Sequence, residues 1–530
     1  MASKILMGGM PELMENILNN LKNEPNSLYS CALVSRHWCK MSIPILWQNP
    51  FSFYKKPLFI SAYFSSLDED DIYVLKEYGI NLKLSSYGLY LTIFRQLFDY
   101  AKFLKDLNLS DLELNARKWT ILNLAQPLSV ISSNTYYTYF DAVVNVVINL
   151  LLKSLFESGA VLHKLVLWFP ESFEFKPEIF YLMERNELFF SRLQHLSLYI
   201  IPECNIESVT IFLKVLAKNI TTISSLDLVI HSDFESRLFH SLFHAIIRII
   251  KSQVQLKWFS LDGVDHPTEF YGIISALECQ KNSLQEVIII RCGYNKEFRV
   301  LKYCKTLETL RIRDCSPKLL NFLDCEISAL EVFDCPIDVQ TIPLILENSG
   351  LLLQRLSFDP IDFGNEIHEV MFFLETLKSF CPNITYLNIQ YSKFSIQLLE
   401  LIGNLQKLQF LSLCCFVDNE IPEEELKIRV MKFAEILPLT LQYLDLGDNW
   451  QPSIDILLSH CKAPLKKLLI YRLNDEKDTR ALIEFCIRNK ALNYVGIYKY
   501  SDLDENLRKE VETHVTNVAL VPWSRIVVDC

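Results

Sequence analysis

One phrase recurs along most of this chain: an apolar residue, two others, a second apolar residue, one other, and a third. Written L-x-x-L-x-L, with other aliphatics or Phe admitted, it appears at Leu104/Leu107/Leu109, Leu162/Leu165/Leu167, Leu193/Leu196/Leu198 and Ile223/Leu226/Leu228. It continues at Leu256/Phe259/Leu261, Leu284/Val287/Ile289, Leu307/Leu310/Ile312, Ile327/Leu330/Val332 and Leu353/Leu356/Phe358. The last five are Ile384/Leu387/Ile389, Leu408/Leu411/Leu413, Leu441/Leu444/Leu446, Leu465/Leu468/Ile470 and Leu492/Val495/Ile497. The 330 residues from Leu162 to Leu492 hold twelve intervals, a mean spacing of 27.5 residues. One such phrase arises by chance in any leucine-rich chain, but fourteen at near-regular spacing impose a repeat array.

The phrase is a short strand with its apolar residues on one face. Between phrases lie stretches of helical period, such as Asn365–Phe380, where Ile367, Val370, Met371, Leu374 and Leu377 share a face. Pattern and spacing are similar to leucine-rich repeats, whose period is roughly 20–29 residues. The expected fold is α/β: a leucine-rich-repeat solenoid, a horseshoe with a parallel sheet on its concave face and helices outside. No unit can bury its apolar face alone, so neighbours supply the core. This repeat class places Asn or Cys three residues past the last aliphatic, where the side chain satisfies backbone groups at a turn. Cys292, Cys315, Cys335 and Asn449 stand there. The 58 residues between the first two phrases leave open whether residues 110–160 hold a degenerate repeat or an insertion. After Ile497, a helical stretch (Asp502–Val515) and an apolar segment (Val518–Val528) are expected to cap the open end.

Half of the 530 residues are hydrophobic, so the chain can bury a core along its whole length. Its net charge of −11 argues against a nucleic-acid partner, since a phosphate backbone needs a positive counterpart. Residues 1–10 hold an apolar stretch too short for a signal peptide. Ala142–Leu152, interrupted by Asn145 and Asn149, is shorter than the roughly 20 residues of a membrane helix and reads as a buried amphipathic helix. No CxxC pair or zinc-spaced Cys/His cluster occurs among the fifteen cysteines. The chain is therefore expected to be soluble and intracellular, cytoplasmic or nuclear, with no membrane partner and no metal or other cofactor.

Residues 10–47 do not fit the repeat. Pro11 suits a first helical turn, and Leu13, Ile17, Leu18 and Leu21 form an apolar stripe behind it. Asn26 or Ser27 can cap a second helix through Leu28, Cys31 and Val34, and a third carries Trp38 and ends near Pro44. The segment resembles the F-box: Met10-Pro11, Ile17-Leu18, Leu33-Val34-Ser35-Arg36-His37-Trp38 and Leu46-Trp47 stand where that family has its conserved features, with Met10 in place of the usual Leu. Together with the repeats it is similar to the F-box/leucine-rich-repeat substrate receptors of Skp–cullin–F-box ubiquitin ligases. The resemblance implies that Pro11, Leu13, Ile17, Leu21, Leu28, Val34 and Trp38 contact a Skp-type adaptor, and through it a cullin-RING ligase. The implied organisation is an F-box module at 1–50, a connecting or N-terminal capping region at 51–103, repeats at 104–500 and a C-terminal cap at 501–530.

No GxSxG, GxxxxGK[ST], HExxH or Rossmann glycine pattern is present, and His240 and His244, four apart on one helix, lack a third ligand. The chain is accordingly expected to be a non-catalytic receptor subunit; the alternative is a repeat-based scaffold or inhibitor without a ligase. In either reading, a target protein would meet the residues that alternate with the buried aliphatics on the concave face. In the later repeats these are Asp359, Tyr386, Asn388, Phe410, Tyr443, Asp445, Tyr471, Tyr494 and Tyr498, following Arg311, Arg313 and Glu331 in earlier ones. Aromatics exposed on successive strands are the residue types that anchor protein interfaces.

Overall fold

The computed structural model describes residues 11–522 except 53–56, 66, 81–97, 125–132, 170–172, 203, 232–235, 321–325, 336–344, 348, 360–366, 418–420, 448–452, 472, 474–475, 499–508 and 510–518. Two compact units emerge, residues 1–261 with 271–280, and residues 262–270 with 281–530.

The first unit opens with helices α1 (Pro11–Asn19), α2 (Pro25–Ala32) and α3 (Arg36–Leu46). Pro25 opens α2 behind Glu24, so the helix starts earlier than an Asn26 or Ser27 cap would allow. Ser35 caps α3, its Oγ accepting from the Trp38 N–H at 3.2 Å. Pro44 lies inside α3, which runs on to Leu46 rather than ending there. Met14, Leu18, Leu28 and Ile45 form the module's interior, with Leu21, Cys31, Trp38, Met41 and Leu46 packed against it. The stripe expected on α1 is thus two faces: Met14 and Leu18 point inward, Leu13 and Ile17 outward.

In this unit β1 (Asp106–Asn108), β2 (Lys164–Trp168), β3 (His195–Ile200) and β4 (Ser225–His231) pair in chain order, each parallel to the next. The division between units falls within β5 (Trp258–Val264). The second unit carries β6 (Glu286–Ile290), β7 (Thr309–Arg313), β8 (Ala329–Phe333), β9 (Arg355–Asp359) and β10 (Tyr386–Lys393). It continues with β11 (Phe410–Phe416), β12 (Tyr443–Asp445), β13 (Lys467–Ile470), β14 (Tyr494–Ile497) and β15 (Ala519–Pro522), and again each is parallel to its successor. Strand followed by crossover followed by parallel neighbouring strand is the leucine-rich-repeat solenoid. The register joins the middle positions of successive phrases, as in Leu310↔Leu330↔Leu356↔Leu387↔Leu411↔Leu444↔Leu468↔Val495. All three apolar positions of all fourteen phrases are at most 3% exposed, so the repeated phrase is itself the core. Two crossovers are 3-10 turns rather than α-helices, Ser275–Gln280 and Lys296–Tyr303, the second in a repeat of only 23 residues from Leu284 to Leu307.

A backbone relay accompanies the register. In most repeats one carbonyl accepts two successive N–H groups from the next: Gln194 and His195 donate to His163 O, and Gln442 and Tyr443 donate to Gln409 O. The first acceptor is Gln48, just past α3, whose carbonyl takes the Lys105 and Asp106 N–H groups at 2.9 and 3.0 Å. The N-terminal module therefore supplies the carbonyl that a preceding repeat would. Trp47 adds a second tie, with ring centroids 4.1 Å from Tyr100 and 5.5 Å from Tyr63.

β1 and β2 are direct neighbours, so no repeat strand lies between them in the sheet, and the 58-residue gap is an insertion. It contains the helices Leu109–Asn123 and Ser133–Glu157. The second has 25 residues and is long and apolar enough to cross a membrane, contrary to the length read from sequence. Two thirds of its most apolar window is buried within the protein. Its polar residues are used there: Asn149 donates to Glu174 O and accepts from the Lys176 N–H, and Lys153 lies 2.9 Å from Asp71 and 3.4 Å from Asp68 and Glu178. Asp68 also caps the connecting helix Glu69–Glu77.

Cys292, Cys315 and Cys335 sit at the expected turn. The Cys292 N–H donates to Cys315 Sγ and the Cys315 N–H to Cys335 Sγ, each at 3.4 Å, and the residue before each Cys has a φ near +50°. Burial pushes the Cys292 thiol well above its ordinary pKa and that of Cys335 up to about 12, so both serve as neutral hydrogen-bonding groups. Asn449 lies outside the described residues, as do Asp502–Val515 apart from the helical residue Lys509; of the segment beyond, Ala519–Pro522 extends the sheet as β15.

Candidate interaction surfaces

The N-terminal module leaves five large apolar side chains in solvent within the stretch 13–34: Leu13, Ile17, Tyr29, Leu33 and Val34. Leu33 is 70% and Val34 63% exposed, because α2 ends at Ala32 and the chain turns through these two residues before Ser35 starts α3. Folding leaves these groups unburied, and exposed apolar side chains gathered in one short segment are the kind of surface found at interaction sites. Leu28 is a correction to the sequence reading: it is fully buried between the helices and cannot touch another molecule. Leu21 and Trp38 are half-buried against the same interior, and the Pro11 side chain lies outside the described residues. Tyr29 was missed, although a Tyr three residues ahead of a helix end, facing away from Leu28, is a signal that helical spacing carries.

On the second unit the residues alternating with the core form rows set by the strand register. One row runs Arg355, Tyr386, Phe410, Tyr443, Lys467, Tyr494. Its rings stack face to face, with centroids 4.1 Å apart for Tyr386–Phe410 and 4.0 Å for Phe410–Tyr443, and the Arg355 guanidinium lies 3.9 Å above the Tyr386 ring. Glu331, on the next row, holds Arg355 at 3.2 Å on one side and Arg311 at 3.2 Å on the other, and Arg311 also meets Glu286 at 3.3 Å. A charged ladder therefore passes into an aromatic one. Arg355 and Lys467 were missed by the sequence reading, though they occupy the same phrase position as Tyr386.

Stacking corrects the expectation that every aromatic here is open. Tyr443 is 8% exposed because Phe410 covers its face, and Asp445 is buried as an acceptor for the Gly447 N–H (2.9 Å), Ser412 (3.3 Å) and the Tyr498 hydroxyl (3.3 Å). Asn388 donates to Ser357 and accepts from Gln390. Asp359 lies at the end of β9, where burial, with the neighbouring Asp334 charge, raises its carboxyl above the usual range while Arg313 opposes. Tyr386, Phe410, Tyr471 and Tyr498 are half-buried, and Tyr494 is exposed. His240 and His244 have ring centroids 4.7 Å apart, and among the described residues no three His, Cys, Asp or Glu side chains are grouped as a metal site.

Residues 11–52 match the family model for the F-box-like domain. No curated protein sequence matches the chain. Among solved structures, a chain in the crystal structure of the Rad7 and Elc1 complex in yeast is 14% identical, covering 83% of this chain and 91% of that one with a TM-score of 0.32. A leucine-rich-repeat protein of Leptospira interrogans is also 14% identical, covering 69% and 91% with a TM-score of 0.29. Likenesses so low bear no weight on function. The class is given by the family match and by the strand ladder: the chain is an F-box-like domain followed by leucine-rich repeats.

Proposed function

We propose that this chain is a non-catalytic substrate receptor of a Skp–cullin–F-box ubiquitin ligase. The observation that carries the reading is the apolar surface that the F-box-like module leaves open at Leu13, Ile17, Tyr29, Leu33 and Val34, directly ahead of a repeat array. A Skp-type adaptor covers that surface and joins the chain to a cullin. The repeats hold a target protein, so that a separate conjugating enzyme reaches its lysines. Catalysis is then by proximity, with the receptor contributing position rather than chemistry. The Gln48 carbonyl, built into the first repeat's hydrogen-bonding pattern, supports this role, because a tether that turned freely would not present a target in one orientation.

The target site in this reading is the second unit's row from Arg355 to Tyr494, where ring edges, Tyr hydroxyls and cations alternate. Tyr494 is the exposed aromatic of that row, and Tyr471 directly follows β13. Co-purification of the full chain with a Skp-type adaptor tests the first half; a folded chain that never binds the adaptor refutes it and leaves a repeat scaffold. For the second half, targets are captured from cells with the F-box-deleted chain, where they are not consumed, and capture is repeated with Tyr471→Ala/Tyr494→Ala. Undiminished capture by that variant moves the site off this row.

A further inference from the structure

Within the first unit a cavity of about 410 Å³ opens where the F-box-like helices meet the leading ends of the first strands. Its wall carries Lys40 of α3, Lys102 and Lys105 ahead of β1, His163 at the start of β2 and Arg192 ahead of β3, against a single carboxylate, Glu15 of α1. We propose that this cavity binds a small compound bearing more than one phosphate group. The proposal is independent of the ligase reading.

Charge carries it first. The chain as a whole has a net charge of −11, yet four permanent cations from separate segments converge here on one concave volume. None of the four makes an ion pair with a described carboxylate, whereas elsewhere in the same unit Arg117, Lys153 and Lys218 are each held by at least one. Like charges gathered round one hollow repel, and an anion held among them relieves that repulsion. The size is within the few hundred Å³ of small-ligand sites. Met41, Ile45 and Phe103 supply an apolar floor beneath the exposed cations.

The chemistry of the cations selects the ligand. A phosphate offers up to two charges and three acceptor oxygens, which suit Lys ammonium groups as point charges and the Arg fork as a bidentate donor. A lone carboxylate would leave most of the cations unanswered. An acidic protein segment would call for cations spread along a groove, and these are confined to one hollow. His163 is a built-in reporter. Burial lowers its imidazole pKa, Lys105 and Arg192 lower it further with His195, and Asp106 opposes them. An anion bound beside it offsets the cations and raises that pKa.

The experiment titrates pyrophosphate into the full chain by calorimetry, with His163 followed by NMR. Saturable binding with a Kd below about 1 mM is expected, with an upward shift of the His163 pKa. Lys105→Gln/Arg192→Gln should weaken binding by about tenfold or more, while Lys214→Gln on the remote helix Ile206–Asn219 leaves it unchanged. These are exposed side chains, so melting curves should confirm that each variant is folded. Wild-type chain that takes up no pyrophosphate overturns the proposal, as does equal binding by the double variant. Preference for an oligoglutamate peptide over pyrophosphate also overturns it, in favour of an acidic protein partner.

Discussion

Leu33→Ala/Val34→Ala separates adaptor docking from folding. Fully burying a Leu or Val side chain is worth about 1.5–3 kcal/mol. Leu33 is 70% and Val34 63% exposed, so roughly two thirds of that value remains for a partner to collect. The two together then contribute about 2–4 kcal/mol, and their loss should weaken adaptor binding by roughly 30- to 700-fold. Truncation to Ala retains each Cβ, so the lower part of that range is expected. The same substitutions remove almost nothing from the interior and should leave the melting temperature unchanged. Leu28→Ala should do the reverse at the source of the effect: it empties a fully buried position and costs about 2–5 kcal/mol of module stability. Surface plasmon resonance against immobilised Skp-type adaptor, with thermal melts of each variant, reads both quantities. A folded Leu33/Val34 double variant with wild-type affinity would refute the argument from exposure.

Other consequences follow from the packing. Leu444 is buried between Leu411 and Leu468 in the register, so Leu444→Ala should cost about 2–5 kcal/mol, and hydrogen exchange should show β11 and β13 loosening more than β6; equal loosening of β6 would contradict nearest-neighbour packing. Phe410→Ala removes the ring shared by two stacked pairs, each worth about 0.5–1.5 kcal/mol, and denaturant titration should show a loss of at least about 1–3 kcal/mol, whereas Tyr494→Ala should show none. For Lys153, burial lowers the ammonium's pKa, but the hydrogen bond and charge of Asp71, with the charges of Glu178 and Asp68, more than offset it and the net shift is upward. A folded pKa above the unfolded value means that this contribution is complete below about pH 10.4 and is lost as pH rises through the folded value. Lys153→Met should remove that alkaline loss and, by leaving the buried Asp71 without its cation, cost about 1–3 kcal/mol at neutral pH; an unchanged alkaline profile would show that another group is responsible.

Periodicity determined the repeat, because a side chain's side of a strand depends on sequence spacing alone: each aliphatic of the fourteen phrases is buried where alternation puts it. The turn cysteines were legible for the same reason, as was the F-box-like segment, whose motif residues follow one another closely enough to be read in line. What lay beyond reading was anything decided by a second segment of chain. Whether Leu28 faces out or in depends on where α1 and α3 cross it, and helical spacing is the same in both cases. The open or closed state of Tyr443 depends on Phe410, brought opposite it by a register that no local pattern states. The long apolar helix Ser133–Glu157 has the composition of a membrane span, and only the packing of distant segments against it shows that its apolar faces are used within the protein. The cationic cavity is the extreme case: Lys40, Lys105 and Arg192 are unremarkable in sequence and become a site only because the Gln48 carbonyl seats the first module against the first strand. Spacing along the chain specifies which face a residue takes, and contact between distant segments specifies what that face meets.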